Sequence, residues 1–154
     1  MSDIKTLFYV TILYGLWELV ARKNWRAILW IAIWALILHY SLSPIRNIFK
    51  IPAIYGKAQY GFPSGHLYWF SSLYGWMAFM LNRTLIHRIF KDAVWGIYLL
   101  GLGIICTYTV ERGYHTWTDV LGGIVFGWSL LWIMLMGVTR WPHIFLGERA
   151  ENAF

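Results

Sequence analysis

The fold is decided by an apolar run near the end of the chain, VLGGIVFGWSLLWIMLMGV (Val120–Val138), which contains no charged side chain. A helix that crosses the hydrocarbon core of a bilayer needs about 17–25 residues. Because this run has such a length and no charge to place in lipid, it predicts a transmembrane helix.

Four more apolar runs precede it: Leu7–Ala21, Trp25–Leu42, Leu67–Leu81 and Ala93–Val110. The first and third are short, and we expect them to extend into the membrane interface. All five should be helices, because an isolated strand would leave backbone polar groups unpaired in lipid. The sequence therefore predicts an all-α fold, a polytopic transmembrane helical bundle of about five spans, in one membrane-embedded domain over residues 1–154.

The overall composition supports a membrane protein over a soluble one. Hydrophobic residues make up 59% of the chain and charged residues 13%, against about 25% charged in an average soluble domain. A net charge of +6 would suggest nucleic acid as a partner of a soluble protein. Here the basic residues lie in short loops between apolar runs, so we expect membrane lipids and no nucleic acid. The sequence leaves protein partners open.

The distribution of basic residues predicts the orientation in the membrane. Five spans place the termini on opposite sides. The side with the N-terminus holds 5 of the 13 Lys and Arg residues and the other side holds 8. Cytoplasmic loops carry the excess of Lys and Arg, so we expect the N-terminus outside and the C-terminus in the cytoplasm. The 5 outer residues are Lys5, Arg46, Lys50, Lys57 and Arg112.

Reactive side chains fall together on the outer side. The segment Pro63-Ser64-Gly65-His66 immediately precedes the third run, and Gly113-Tyr114-His115-Thr116-Trp117-Thr118-Asp119 immediately precedes the fifth. Arg46 and Lys57 follow the second run. Counting spans therefore predicts that two histidines, an aspartate and several cations converge in one interfacial pocket.

The types and spacing of these residues point to phosphoryl chemistry. His115 and Asp119 are four residues apart and share a helical face. An aspartate bonded to one ring nitrogen fixes the tautomer and leaves the other nitrogen able to attack or to accept a proton. Ser64 and Gly65 at a helix start offer amide groups and a hydroxyl to an anion. His66 lies where it can protonate a leaving oxygen.

Positive charge for the phosphate is expected from Arg46, Lys57 and Arg112. Taken singly, each motif has a structural explanation: an interfacial histidine anchors, and Pro-Ser-Gly begins many helices. A metal site built from His66, His115 and Asp119 is disfavoured by the neighbouring cations.

Two further features are expected to be structural. Gly123-x-x-x-Gly127 predicts a helix-packing face, and His39 is expected to pack within the second span.

Together these residues resemble the type 2 phosphatidic acid phosphatase (PAP2) superfamily, across roughly residues 25–140. The family motif Pro-Ser-Gly-His is matched in full by residues 63–66, and the end of its third motif by Gly113-Tyr114-His115 with Asp119. The resemblance implies that His115 forms a phosphohistidine, that Asp119 orients it and that His66 is the general acid. It implies no metal cofactor.

The chain departs from the family pattern in its arginines. Arg46 stands at the family's lysine of the first motif, while Ala53-Ile54 replaces Arg-Pro. Thr109 stands at the arginine of the third motif. With five spans, we expect the first helix of the usual six-helix core to be lacking. Lys57 and Arg112 are our candidates for the displaced cations.

These features favour a phosphatase acting on a lipid phosphate or diphosphate, such as a polyprenyl diphosphate or phosphatidate. The stretch Tyr114–Trp117 looks like that of dolichyl diphosphatases. A histidine followed by an aromatic residue or Thr, and after two more residues by Asp-Val, also occurs in sphingomyelin synthases, so transfer to an acceptor alcohol is an alternative. A non-catalytic lipid-binding or transport protein on the same scaffold is the third, favoured by the missing arginines.

Overall fold

Helices dominate the described part of the chain, which in this computed structural model comprises residues 25–54, 60–84 and 88–141. The α-helices are α1 (Trp25–Phe49), α2 (Gly65–Trp69), α3 (Gly75–Thr84), α4 (Arg88–Glu111) and α5 (Trp117–Arg140). Within those ranges the strand-like pairing is a single bridge between Pro52 and Tyr60. The predicted all-α fold is confirmed.

Three of these helices are long and apolar enough to cross a membrane, judged by length and composition. The candidate spans are Ile28–Phe49, Lys91–Glu111 and Trp117–Arg140. They correspond to the second, fourth and fifth apolar runs, which were the runs predicted to be long enough to span a membrane. The first run, Leu7–Ala21, lies outside the described residues, so the expected number of spans stays a prediction.

The third apolar run is helical but not uniform. Helix α2 passes without a break into a π-helical turn, Phe70–Tyr74, and then into α3. A π-helical turn inserts one extra residue into the helical repeat, which changes the face that the following residues present. Hydropathy alone carries no signal for this insertion.

Helix α5 approaches the start of this segment closely because it presents glycines there. A Cβ on Gly123 would lie 2.6 Å from the Ser64 carbonyl oxygen and 2.9 Å from the Leu67 Cβ. A Cβ on Gly127 would collide with the Ser71 hydroxyl. The predicted packing face is therefore confirmed, since any larger side chain would push the two segments apart.

The Tyr98 hydroxyl links three segments inside the bundle. The Tyr98 hydroxyl donates to the Ser71 carbonyl at 2.8 Å and accepts from the Trp128 indole N–H at 2.7 Å. Such pairing removes the cost of placing unpaired polar atoms in an apolar setting. These two bonds join α4, the π-helical turn and α5.

The chain divides into two compact units, and every described site residue belongs to Ala35–Leu135. Within this unit the expectation for His39 is wrong, because its side chain is exposed and contacts the ring of Tyr40 edge-on. The buried position is its neighbour Leu38. Successive helical residues point about 100° apart, so Leu38 lies on the packed face and the next residue, His39, lies on the exposed face.

Candidate active site

His115 lies on a short turn that is fastened to the end of α4. Gly113 adopts a left-handed conformation with φ 68° and donates to the Val110 carbonyl at 2.9 Å. The amides of Tyr114 and His115 both donate to the Thr109 carbonyl, at 3.0 and 3.3 Å. This is the glycine-terminated helix end in which the freed carbonyls are satisfied by the following amides. These bonds fix the position of the His115 backbone relative to the end of α4.

The other end of the same turn is fixed by the start of α5. The Asp119 amide donates to the Thr116 hydroxyl at 3.2 Å, and the Thr116 amide donates to Asp119 Oδ2 at 2.9 Å. These reciprocal bonds form a capping box, which satisfies two amides that the helix leaves unpaired. His115 is thus held between a helix end and a helix start.

His115 lies beside Asp119 as predicted, but the two side chains do not form the expected hydrogen bond. Nδ1 of His115 lies 3.7 Å from Asp119 Oδ2, and the two side chains are 12% and 6% exposed. This separation is within ion-pair range but too long for a hydrogen bond, and Nδ1 has no hydrogen-bond partner within the described part of the chain. Nδ1 faces the Asp119 carboxylate, so Nε2 is the ring nitrogen that points away from it.

Burial is the main influence on the charge of His115. It lowers the pKa of the imidazole, since desolvation disfavours the cation, while the charge of Asp119 opposes this by raising the pKa. The positive charges of His66 and Arg46 lower the pKa further. The net direction is downward, so the neutral ring that a nucleophile requires is favoured at neutral pH.

His66 lies across from His115. It is the second residue of α2, is exposed, and its ring centroid is 6.2 Å from that of His115 with the planes at 65°. The two rings do not stack but meet edge to face. The two histidines therefore lie close together, as predicted from their positions before the third and fifth apolar runs.

Ser64 differs from its expected role as an open amide cradle. It precedes α2, is 0% exposed, and its amide donates to the Asp119 carbonyl at 2.9 Å. That amide is therefore occupied in joining the start of α2 to the start of α5. The Ser64 hydroxyl is buried without a hydrogen-bond partner among the described residues.

Arg46 reaches the same segment from the last turn of α1. Its Nε and Nη2 both donate to the Pro63 carbonyl, at 3.3 and 3.2 Å. A Cβ on Gly65 would lie 3.2 Å from Nη2, so the guanidinium rests against the bare Cα of this glycine. A guanidinium carries five N–H donors, so it has donors beyond the two in these bonds.

The comparisons with known proteins identify the family. The sequence profile of the PAP2 superfamily matches residues 42–142, about two thirds of the chain. The chain belongs to the PAP2 superfamily. No curated protein and no solved structure matches. Members of this superfamily are generally phosphatases, so the suspected resemblance is confirmed at the level of the family and of phosphatase-type chemistry.

The PAP2 positions that this chain has altered are now located. Thr109 is buried, and its hydroxyl bonds back to the Ile105 and Cys106 carbonyls at 2.9 and 3.0 Å. Its contribution to the site is the carbonyl that holds the His115 turn. Ala53 is half-buried and Ile54 is exposed, so neither position supplies charge.

The two cations proposed as replacements stand differently. The Arg112 guanidinium is exposed and lies over the ring of Tyr108, 5.4 Å from its centroid. This contact is within its own helix end, and a phosphate-binding role stays a prediction. Lys57 lies outside the described residues. Among the described residues, Arg46 is the Lys or Arg whose charge acts on His115.

Two features of the site were missed by reading the sequence. Thr116-Trp117-Thr118-Asp119 carries the spacing of a capping box, and that signal was available. The contact of Arg46 with Pro63 and Gly65 had no sequence signal, because it joins segments 17 residues apart through the packing of two helices. Within the described ranges, no group of three His, Cys, Asp or Glu side chains is arranged to hold a metal ion.

Proposed function

We propose that this PAP2 protein hydrolyses a lipid phosphate or diphosphate through a phosphohistidine on His115, without a metal cofactor. The roles of His115, Asp119 and His66 are those implied by the family motifs that residues 63–66 and 113–119 match. Arg46, Ser64 and Gly65 line the same place, and Arg112 and Lys57 are further phosphate-binding candidates.

A lipid substrate is supported by the position of the reactive residues along the helices, since they lie at the ends of the candidate spans. Arg46 lies in the last turn of the span that ends at Phe49, and His115 lies just before the span that begins at Trp117. Span ends lie at the headgroup level of a bilayer, where the phosphate of a membrane lipid also lies. A reactive cluster at this level is suited to a substrate held by its lipid chains.

Exposed aromatic side chains beside the nucleophile support the same placement. Tyr114 and Trp117 flank His115 and are 45% and 55% exposed. Tyr and Trp are enriched at the membrane–water interface, where one part of the ring is in lipid and the polar tip is in water. Both residues are therefore placed to hold the turn at the interface.

The reaction we propose has two displacements. Nε2 of His115 attacks phosphorus, the bond from phosphorus to the lipid oxygen breaks, and that oxygen takes a proton from His66. His66, now neutral, takes a proton from water, whose oxygen attacks phosphorus. The phosphorus–nitrogen bond breaks, inorganic phosphate leaves, and both histidines are restored. Arg46 stabilises the charge on the phosphoryl oxygens throughout.

Phosphate release by the purified full-length chain in detergent micelles tests this function. Substrates are phosphatidate, a polyprenyl diphosphate and a water-soluble aryl phosphate, each with and without EDTA. We expect release from at least one lipid substrate, unchanged by EDTA and lost in His115→Ala. His39→Ala, which changes an exposed histidine in contact with Tyr40, is the matched control and should keep its activity. Folded protein that releases nothing from either lipid contradicts the proposal, and loss of release with EDTA contradicts its metal independence.

We also propose that the site faces the non-cytoplasmic side. After Cys106→Ser, a cysteine at Ile54 should react with an impermeant thiol reagent in intact cells, and a cysteine at Trp141 should react only after permeabilisation. Both positions are exposed, and they follow α1 and α5 respectively. The reverse labelling pattern would overturn the orientation.

A further inference from the structure

Asp119 is held at three atoms by hydrogen bonds to residues other than His115. Its amide donates to the Thr116 hydroxyl, its Oδ2 accepts from the Thr116 amide, and its carbonyl accepts from the Ser64 amide. Both capping bonds come from one residue, and one of them uses the same oxygen, Oδ2, that faces His115 Nδ1 at 3.7 Å. The position of the carboxylate is therefore set by the start of α5.

We propose that the Thr116 hydroxyl is a positioning group for the reaction, because it fixes the first turn of α5 and thereby the Asp119 carboxylate beside His115. This inference rests on the proposed function for its kinetic consequence. Thr116 does not touch substrate and acts through Asp119. The Thr116 hydroxyl accepts a hydrogen bond from the Asp119 amide, and it also lies 2.8 Å from the Thr118 hydroxyl.

The physical reason lies in the free ends of a helix. Without an acceptor for the Asp119 amide, the first turn of α5 loses a bond that the helix itself does not replace. The carboxylate then keeps only the Thr116 amide, and fraying of that turn moves Oδ2 away from Nδ1. A displaced carboxylate no longer orients the imidazole, and misplacement of a reacting group by about 1 Å lowers rates by up to about a hundredfold.

Three variants separate this role from general damage. Thr116→Val keeps the shape of the side chain and removes the hydroxyl, while Thr116→Ser keeps the hydroxyl. Thr118→Val is the matched control, because it removes the neighbouring hydroxyl and leaves the bond to the Asp119 amide in place. We expect kcat on a lipid phosphate to fall about tenfold in Thr116→Val with KM nearly unchanged, and to stay within about twofold in the other two.

A second comparison shows whether the effect passes through Asp119. In an Asp119→Asn background, Thr116→Val should change kcat by less than about twofold, because the group it positions is already gone. An equal loss in both backgrounds, or failure of Thr116→Ser to restore the rate, overturns the inference.

A readout independent of turnover keeps this test separate from the proposed function. Titration of His115 is followed by NMR of isotope-labelled histidine in micelles. The charged groups acting on this ring are Asp119 on α5, His66 on α2 and Arg46 on α1. Because Asp119 raises the pKa of His115, Thr116→Val should lower that pKa toward its value in Asp119→Asn, and Thr116→Ser should not.

The two failures are therefore distinguishable. Wild-type protein inactive on every lipid phosphate contradicts the proposed function, and the titration then decides the role of Thr116. A pKa of His115 that is the same in Thr116→Val as in wild type overturns the inference whether or not the protein is a phosphatase.

Discussion

Replacing Gly65 by alanine should lower activity without lowering stability. A Cβ at this position would lie 3.2 Å from Arg46 Nη2 and 3.2 Å from Leu42 Cδ2. Both distances are a few tenths of an ångström short of ordinary contact, so the guanidinium must move. Its bonds to the Pro63 carbonyl are already 3.2 and 3.3 Å long. A further shift of this size takes them to the limit at which a hydrogen bond is lost.

The magnitude follows from what Arg46 contributes. Loss of a charged donor to transferring phosphate costs about 2–4 kcal/mol, and we expect this for Arg46→Ala. Displacement rather than removal should cost about 1–2 kcal/mol in kcat/KM, which is roughly 5–30-fold. The folded state should not lose stability, because the gain of about 0.4–1 kcal/mol from replacing glycine by alanine offsets the cost of shifting the flexible ends of Arg46 and Leu42.

The assay compares kcat/KM on a lipid phosphate with thermal unfolding followed by circular dichroism. Gly103→Ala is the matched control, since a Cβ there meets nothing within 4 Å, and it should leave activity unchanged. In an Arg46→Lys background, Gly65→Ala should cost less than about twofold, because the fork it displaces is absent. Full activity in Gly65→Ala, or the same fold loss in both backgrounds, would refute the reasoning.

Three other predictions concern the remaining groups of the site. His66→Ala should lower kcat about 10²–10⁴-fold on a lipid substrate, and less on an activated aryl phosphate whose leaving group needs no proton; equal losses would exclude a general acid. The acid limb of kcat/KM should lie below the ordinary histidine value of about 6.5, because burial lowers the pKa of His115, and it should move to still lower pH in Asp119→Asn; a limb above that value contradicts the assignment. Arg112→Ala should lower kcat/KM by about 2–4 kcal/mol, with little recovery in Arg112→Lys, if its guanidinium leaves its own helix to bind phosphate; wild-type rates in Arg112→Ala would show that it does not.

The parts of the fold that the sequence predicted depend on local patterns. The apolar run Val120–Val138 forms most of α5, whose bounds are Trp117–Arg140. His115 and Asp119 face each other as their spacing predicted, although His115 lies on the turn before α5 and meets Asp119 through the capping box at Thr116 rather than along one helical face. His66 lies beside them, as expected from its place before the third apolar run, while the number of spans on which that expectation relied stays a prediction.

The parts that escaped prediction depend on packing between segments. Ser64 was expected to offer its amide to an anion, but the close approach of α5 at Gly123 brings the Asp119 carbonyl to that amide instead. Gly65 was expected to admit an oxyanion, and it also makes room for Arg46. Each outcome depends on how two helices approach, which the composition of neither one specifies.

The central claim is that a phosphoryl group passes from lipid to His115, and trapping the intermediate tests it most directly. Purified protein is mixed with a lipid phosphate carrying labelled phosphorus, quenched rapidly in alkali, and separated from lipid. The account predicts chain-bound label that is stable in alkali, lost in acid, absent in His115→Ala and retained in His39→Ala. Lipid hydrolysis by the wild type with no label on the chain, or equal labelling of His115→Ala, would contradict it.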